Sequence, residues 1–178
     1  EYISKLNAEL LVYQAKSDFL INASRLGRDR LAAVRRVDGV ADSAMLGTAT
    51  ATLILPGDQE PLKAAMLGVE PGHTGEPQVL QGRQLSTDLA KEAIIDSNTA
   101  YRTKLGVGDT LTIRVTQGTR DELYDLRIVG ISTGQQYSLQ PSVFVPFNTW
   151  DRVRPKSEAE VNFSNPVANV ILVKLADP

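Results

Sequence analysis

Residues 81–131 read QGRQLSTDLAKEAIIDSNTAYRTKLGVGDTLTIRVTQGTRDELYDLRIVGI, and the order of patterns in this stretch decides the fold. The apolar run Ala93-Ile94-Ile95 is closed by Asp96-Ser97-Asn98, which predicts a buried strand ending at a helix cap. The helix is expected over residues 99–105, with Gly106 just past its end, since glycine commonly ends a helix. A strand followed directly by a short helix is therefore the first unit of the fold.

Two stretches with alternating apolar and polar residues follow this helix. The first places Leu111, Ile113 and Val115 on one face of a strand. After a polar turn over residues 117–122, the second alternation puts these residues on one face: Tyr124, Leu126, Ile128 and Gly130. The pair predicts a β-hairpin with a longer loop.

The succession of motifs resembles a known family. Gly82-Arg83-Gln84-Leu85, the buried strand, the helix, Leu105-Gly106-Val107-Gly108-Asp109, the hairpin and Val129-Gly130-Ile131 occur in one order. This order resembles the extracytoplasmic core domain of permeases in the MacB/FtsX/LolC class of ABC transporters. The resemblance extends over most of the chain through Arg36-Val37-Asp38-Gly39-Val40, Met66-Leu67-Gly68-Val69-Glu70-Pro71 and Ser142-Val143-Phe144-Val145-Pro146.

Composition excludes several classes of function. The chain has 178 residues, 42% of them hydrophobic and 22% charged, which is typical of a globular protein. Its formal net charge is only -2 and no block of Lys or Arg occurs, so nucleic acid is not expected as a partner. The absence of cysteine excludes disulfides, thiol catalysis and cysteine-based zinc sites. No apolar run approaches the ~20 residues of a spanning helix.

The remaining patterns predict an α+β fold. Strands are expected at residues 9–14, 45–55, 62–69, 142–146 and 167–175, with a boundary in the Pro/Gly-rich stretch 71–77. The resemblance implies two lobes: a porter-like lobe from residues 1–75 and 135–178, and a smaller inserted α/β lobe from residues 76–134. It also implies that membrane helices flank this stretch, so that Glu1 and Pro178 should lie on the same side of the domain.

A further helix is expected over residues 27–37, with Leu31, Val34 and Val37 facing inward. Four arginines, Arg28, Arg30, Arg35 and Arg36, would face outward. They are interpreted as a solvated face balanced by nearby aspartates; a docking surface for an acidic partner or for lipid headgroups is the alternative.

The sequence assigns no catalytic, cofactor-binding or metal-ligating residue, and the chain is predicted not to be an enzyme. His73 is the sole histidine and lies in a Pro/Gly loop, where we expect it to be solvated. Neither a nucleophile motif nor an ATP-binding P-loop occurs. Asp121, Glu122 and Asp125 lack the ligand spacing of a calcium loop.

The polar stretch 132–141 is the candidate for partner contact, because an aromatic residue in a polar loop is typical of interfaces. The candidate residues are Gln135, Gln136, Tyr137 and Leu139. A core anchor is the alternative interpretation of this aromatic residue.

The resemblance implies the extracytoplasmic domain of an ABC permease in the bacterial plasma membrane. In that family a cytoplasmic ATPase subunit or domain drives a dimeric permease, and the outer domain relays the motion to a periplasmic or extracellular partner protein or to an exported or extracted substrate. One alternative is a solute-sensing or substrate-binding module, with its cleft near residues 72–78 and 135–137. A hydrolase with dispersed catalytic residues is the second alternative.

Overall fold

The computed structural model describes residues 6–15, 23–134, 140–161 and 166–177 of the chain. Within these residues the strands are β1 (Leu10–Val12), β2 (Leu26–Gly27), β3 (Val40–Ile54), β4 (Leu62–Val69), β5 (Val79–Gly82), β6 (Glu92–Asp96), β7 (Thr110–Gln117), β8 (Arg120–Ser132), β9 (Ser142–Pro146), β10 (Val167–Ala168) and β11 (Val170–Leu175). The helices are α1 (Arg28–Val34), α2 (Ser97–Thr103), α3 (Phe147–Val153) and α4 (Glu158–Val161).

A closed circuit of hydrogen-bonded strands forms the centre of the fold. The circuit runs β3, β4, β9, β6, β8, β7 and back to β3, because β7 pairs with both β8 and β3. The pairs β4–β9 and β6–β8 are parallel, and the other pairs of the circuit are antiparallel. Strands β11 and β1 continue the sheet beyond β3, and β5 pairs with β8. The predicted α+β class is confirmed.

Every strand of the circuit contributes to one main hydrophobic core. Its fully buried members include Leu53, Met66, Ile95, Ile113, Ile128 and Val143. A second hydrophobic cluster contains strand residues that are next in sequence to members of the main core and therefore lie on the opposite face of the sheet. They include Leu67, Ile94, Phe144 and Leu172, and Leu6 packs with them. Residues 76–134 supply β5 to β8 and so share the main core with the rest of the chain. The division into two lobes stays a prediction.

Trp150 of α3 lies in a slot made by two glycines. Gly47 of β3 and Gly68 of β4 are directly opposite each other in the antiparallel register. A Cβ built on Gly47 would lie 2.5 Å from three ring carbons of Trp150, and one on Gly68 would lie 2.5 Å from Trp150 Cγ. Trp150 is only 2% exposed and stacks on Phe147 with ring centroids 5.4 Å apart. The missing side chains let α3 pack closely on the sheet.

The predicted strand and helix cap around Asp96 are confirmed. Asp96 Oδ1 accepts the backbone N–H of Thr99 at 2.5 Å, and its Oδ2 accepts that of Ser142 at 3.1 Å. One carboxylate thus caps α2 and ties it to β9. The predicted end of this helix was wrong. Helix α2 ends at Thr103, and the next residue, Lys104, has φ +60° and takes the left-handed position expected of a glycine.

The predicted hairpin is confirmed, but the longer loop was wrong. β7 and β8 stay paired up to Gln117 and Arg120, so two residues make the turn and Gly118 adopts φ +62°. The polar residues that suggested a loop instead hydrogen-bond across the strands: Thr116 Oγ1 donates to Asp121 at 2.9 Å.

Two expectations near the ends of the chain need correction. Helix α1 ends at Val34, so Val37 is 58% exposed rather than inward, while Leu31 is buried as expected. The strand expected over residues 9–14 is short, and as β1 it forms the edge beside β11. The closing strand expected over residues 167–175 is interrupted at Asn169, because Val167 and Ala168 form β10, which pairs with β2. From Val170 to Val173, β11 is buried on both faces, as predicted for a strand with neighbours on each side.

Candidate functional site

The described chain enters and leaves the domain side by side. The start of β1 lies against the end of β11, since the backbone N–H of Glu9 donates to Val173 O at 3.0 Å. The Glu9 carboxylate in turn accepts the backbone N–H of Leu175 at 2.8 Å. The start of the first strand and the end of the last strand therefore lie next to each other, beside the start of β3.

Residues 70–76, which follow β4 and are called the anchor loop here, hold the segment that precedes β1. Thr74 Oγ1 lies 2.5 Å from Asn7 O, to which it donates, and Gly75 N–H donates to Leu6 O at 2.9 Å. The Leu6 side chain is 2% exposed and packs in the second hydrophobic cluster. Polar and apolar contacts together fix the entering chain to the loop.

A glycine lets the anchor loop approach β11. Gly75 adopts φ +97°, and a Cβ there would clash with Leu172 Cδ1. The backbone conformation strongly favours glycine, and a larger residue would also displace the Leu172 side chain. The loop is thus fitted to the strand that leaves the domain as well as to the segment that enters it.

Asp42 of β3 fastens the anchor loop to the sheet. Its Oδ2 accepts the backbone N–H of Thr74 at 2.7 Å, and its Oδ1 lies 3.0 Å from His73 Nδ1 and accepts Ser43 N–H at 2.8 Å. Partial burial by itself would raise the pKa of Asp42, but these hydrogen bonds and the charge of His73 outweigh it and the pKa is lowered. Asp42 therefore stays ionised as a hub that joins strand and loop.

Glu70 makes the second link between the anchor loop and the sheet. Its Oε2 accepts Met45 N–H at 3.2 Å and lies 3.4 Å from Arg35 Nη2. Its side chain is 8% exposed, and this burial raises its pKa despite the Met45 hydrogen bond and the Arg35 charge. Glu70 connects the end of β4, β3 and the residue that follows α1.

Asp88 extends this polar cluster to α1 and α3. Arg28 Nη2 donates to Asn148 Oδ1 at 2.8 Å, and Asn148 Nδ2 donates to Asp88 Oδ2 at 3.3 Å. Burial raises the pKa of Asp88, and its charge in turn raises the pKa of Glu70. The cluster ties both helices to the end of the sheet where the chain enters and leaves.

The residues that the sequence singled out have different outcomes. Gln135, Gln136, Tyr137 and Leu139 lie outside the described residues, as do Glu1 and Pro178. His73 is a partner of Asp42 rather than a purely solvated loop residue, although 44% of its side chain is exposed. Among the arginines, Arg30 pairs with Asp29 at the surface.

The anchor loop was missed as a site because its partners are far apart in sequence. Thr74 and Asn7 are separated by 67 residues, and no local pattern links them. The only sequence signal there is the Pro/Gly-rich composition of residues 71–77, which predicts a boundary.

Two surface cavities lie elsewhere. The first has a volume of about 430 Å³ and lies beside β3, and the second, of about 440 Å³, lies between residues 82–83 and 107–108. Neither wall includes a residue of 72–78, the stretch expected to line a cleft in a binding module.

In the part of the chain that the structure describes, no helix has the length and apolar character needed to cross a membrane.

Similar solved structures come from two transporters and a putative permease. The periplasmic region of MacB from Actinobacillus actinomycetemcomitans has 14% sequence identity and a TM-score of 0.61, with 85% of this chain and 65% of that chain covered. The extracellular domain of the ABC-type transporter YknZ from Gram-positive bacteria has 16% identity and a TM-score of 0.61, with 94% and 82% covered. A domain of a putative permease protein from Porphyromonas gingivalis has 20% identity and a TM-score of 0.52, with 83% and 66% covered.

At these identities the likeness concerns the fold, and the chain spans slightly less than two thirds of the MacB and Porphyromonas gingivalis structures. No curated protein matches the sequence. The model of one protein family, however, matches residues 2–178, nearly the whole chain. The family consists of transporter permease domains and is not a catalytic one. The chain belongs to the family of MacB-like periplasmic core domains, the extracytoplasmic domains of ABC transporter permeases.

Proposed function

We propose that this domain relays ATP-driven motion of a membrane permease to the extracytoplasmic side, where it acts on a partner protein or on an exported or extracted substrate. It has no catalytic role of its own. A cytoplasmic ABC ATPase supplies the energy, and the permease works as a dimer in the bacterial plasma membrane. Residues 1–75 with 135–178, and residues 76–134, act as two lobes of this relay.

The observation that carries the proposal is the position of the two ends of the described chain. Glu9 and Leu175 are hydrogen-bonded neighbours, so membrane helices attached before and after them would approach the domain from one side. A relay needs such an arrangement, because a change in the helices must reach the domain as a whole.

The anchor loop provides the physical connection. Motion of the entering segment passes from Leu6 and Asn7 to Thr74, and from Thr74 through Asp42 to β3. Strand β3 pairs with β11, β4 and β7, so it distributes the displacement over the closed circuit. Chains of hydrogen bonds and rigid elements of this kind can carry coupling between distant sites.

The relay is tested in the full-length permease with its ATPase, reconstituted in liposomes. Because the domain contains no cysteine, Leu123→Cys at an exposed position of β8 offers one spin-label site in the domain. ATP should change the distance between the labels of the two protomers. Thr74→Val removes the hydroxyl that holds Asn7 and should reduce this change, although Gly75 and the buried Leu6 still hold part of the entering segment. ATP hydrolysis should stay within about twofold, below the 5- to 150-fold effects that correspond to an allosteric coupling of about 1–3 kcal/mol.

Thr87→Val is the matched control, because Thr87 is exposed and lies outside the anchor loop. It should leave both the distance change and ATP hydrolysis intact. An unchanged label distance in the wild-type permease on addition of ATP, or an unimpaired change in Thr74→Val, would overturn the proposal.

A further inference from the structure

The cavity of about 440 Å³ lies where two segments of the chain meet along the same side of β8. On the side of β8 away from β6, β7 pairs with it as far as Arg127, and β5 pairs with it from Gly130 onward. The carbonyl groups of the two residues between them, 128–129, accept the N–H groups of Gly108 and Arg83 at 2.8 and 2.9 Å. The turn that follows α2 and the end of β5 thus form opposite parts of the cavity wall.

Two glycines keep this space open. Gly82 adopts φ +83° and Gly108 adopts φ +97°, backbone conformations that strongly favour glycine. A Cβ on Gly82 would clash with Val129 O and would lie 3.0 Å from Val107 Cγ2. Val107 also belongs to the wall and is 47% exposed. The wall therefore presents an apolar side chain that its neighbours leave uncovered.

The wall carries three charged side chains, and two of them neutralise each other. Arg83 donates to both oxygens of Glu92, which also accepts the N–H and the hydroxyl of Ser86, each at 3.0 Å. The hydrogen bond from Arg83 lowers the pKa of Glu92, so this carboxylate stays ionised. The third side chain, Arg127, is exposed, and its guanidinium forms no hydrogen bond or salt bridge with another residue of the described chain.

The charges next to the wall do not neutralise Arg127. Lys91 and Asp109 adjoin the cavity, because Lys91 O accepts Arg127 N–H and Asp109 O accepts Ile128 N–H, both at 2.9 Å. These two side chains have opposite charges, and Asp109 Oδ2 already accepts Gly106 N–H at 2.8 Å. The cavity therefore has a net positive charge, which favours an anionic ligand.

We propose that this cavity binds a small organic carboxylate, whose anion pairs with Arg127 and whose apolar body lies on Val107. A guanidinium binds a carboxylate through two parallel charge-assisted hydrogen bonds, so an unpaired arginine suits this group. Pockets for small molecules have volumes of about 300–1,000 Å³, and this cavity lies at the lower end of that range.

This binding does not depend on the proposed relay, because the cavity belongs to the domain alone and requires neither the membrane nor ATP. The test titrates the ¹⁵N-labelled domain with sodium hexanoate at neutral pH and constant ionic strength. Hexanoate should bind saturably with a dissociation constant of about 1 mM, as expected for one exposed ion pair with a small apolar contact. It should shift the amide signals of Gly82, Gly108 and Arg127.

Related probes separate the charge from the apolar contact. Hexanamide and hexylamine keep the carbon chain but lack the anion, and each should bind at least ~10-fold more weakly than hexanoate. Acetate keeps the anion but lacks most of the chain, and it should also bind at least ~10-fold more weakly.

Three variants assign the two contacts. Arg127→Gln should weaken hexanoate binding at least ~10-fold. Arg114→Gln is the matched control, because Arg114 is an exposed arginine of the neighbouring β7 outside the cavity wall, and it should leave binding unchanged. Val107→Ser should weaken the binding of hexanoate but not that of acetate. All three residues are exposed, so unchanged amide signals elsewhere should show that the variants fold.

Four results would overturn the proposal. The first two are the absence of saturable hexanoate binding and amide shifts confined to residues away from the cavity. The third is binding of inorganic phosphate as tight as that of hexanoate, which would indicate a general anion site. The fourth is an equal loss of binding in Arg127→Gln and Arg114→Gln, which would indicate attraction to the surface charge as a whole.

Discussion

Replacement of Gly47 by alanine should destabilise the domain through a single contact, that with the Trp150 ring. The new methyl group would lie 2.5 Å from three ring carbons, about 1 Å closer than van der Waals contact. Such overpacking costs about 1–3 kcal/mol. The backbone at Gly47 is not in the left-handed region, so alanine gains about 0.4–1 kcal/mol from the unfolded chain. We expect a net loss of about 1–2 kcal/mol, from these two opposing effects.

A second background identifies the contact. Trp150→Ala removes the ring at a cost of about 3–5 kcal/mol, and in that background Gly47→Ala should become neutral or slightly stabilising. Gly68→Ala is the matched comparison, because its methyl would lie 2.6 Å from Trp150 Cβ, an atom that alanine retains. Its cost should persist in both backgrounds.

Urea unfolding of the wild-type domain, the three single variants and the two double variants measures these free energies through double-mutant cycles. The cycle should give a coupling of about 1–3 kcal/mol for Gly47 with Trp150, the size of the relieved overpacking. If Gly47→Ala costs the same with and without the ring, or costs nothing in the wild type, the slot is not what fixes α3 to the sheet.

Two further predictions concern carboxylates. Asp96→Ala should cost about 2–4 kcal/mol in urea unfolding, because it removes a helix cap and leaves the buried N–H groups of Thr99 and Ser142 unpaired. Asp96→Asn should cost less. Equal losses of stability in the two variants would show that these hydrogen bonds are unimportant. The pKa of Glu70 is raised, so the folded state holds the Glu70 proton more tightly than the unfolded chain does. The wild type should therefore lose stability relative to Glu70→Gln as the pH rises from about 4.5 through the raised folded pKa. Urea midpoints of the two proteins from pH 4 to pH 7 that run parallel would contradict this sign.

The features that could be predicted from the sequence are those encoded by neighbours along the chain. The Asp96 cap follows from a polar residue placed directly between an apolar run and a helix, and both strands of the hairpin follow from strict alternation. The end of α2 at Thr103 could not be predicted, because Lys104, which follows it, occupies a left-handed conformation that usually indicates glycine.

Long-range contacts account for the rest. Nothing local in β3 shows that its end pairs with β7 and closes the circuit, because Thr52 and Arg114 are distant in sequence. Gly47 and Gly68 look like weak points of two strands until Trp150 fills the space between them. The candidate site has the same origin, since Thr74, Asp42 and Asn7 come from three separate segments.

The pairing of β1 with β11 also determines how the domain responds to tension. Because the start of β1 and the end of β11 lie at one end of an antiparallel pair, pulling them sideways apart would unzip their hydrogen bonds one after another. A pull on both in the same direction leaves these bonds unstrained and displaces the domain bodily. We therefore expect this strand pair to resist a pull on both ends in the same direction and to yield when the two ends are pulled apart.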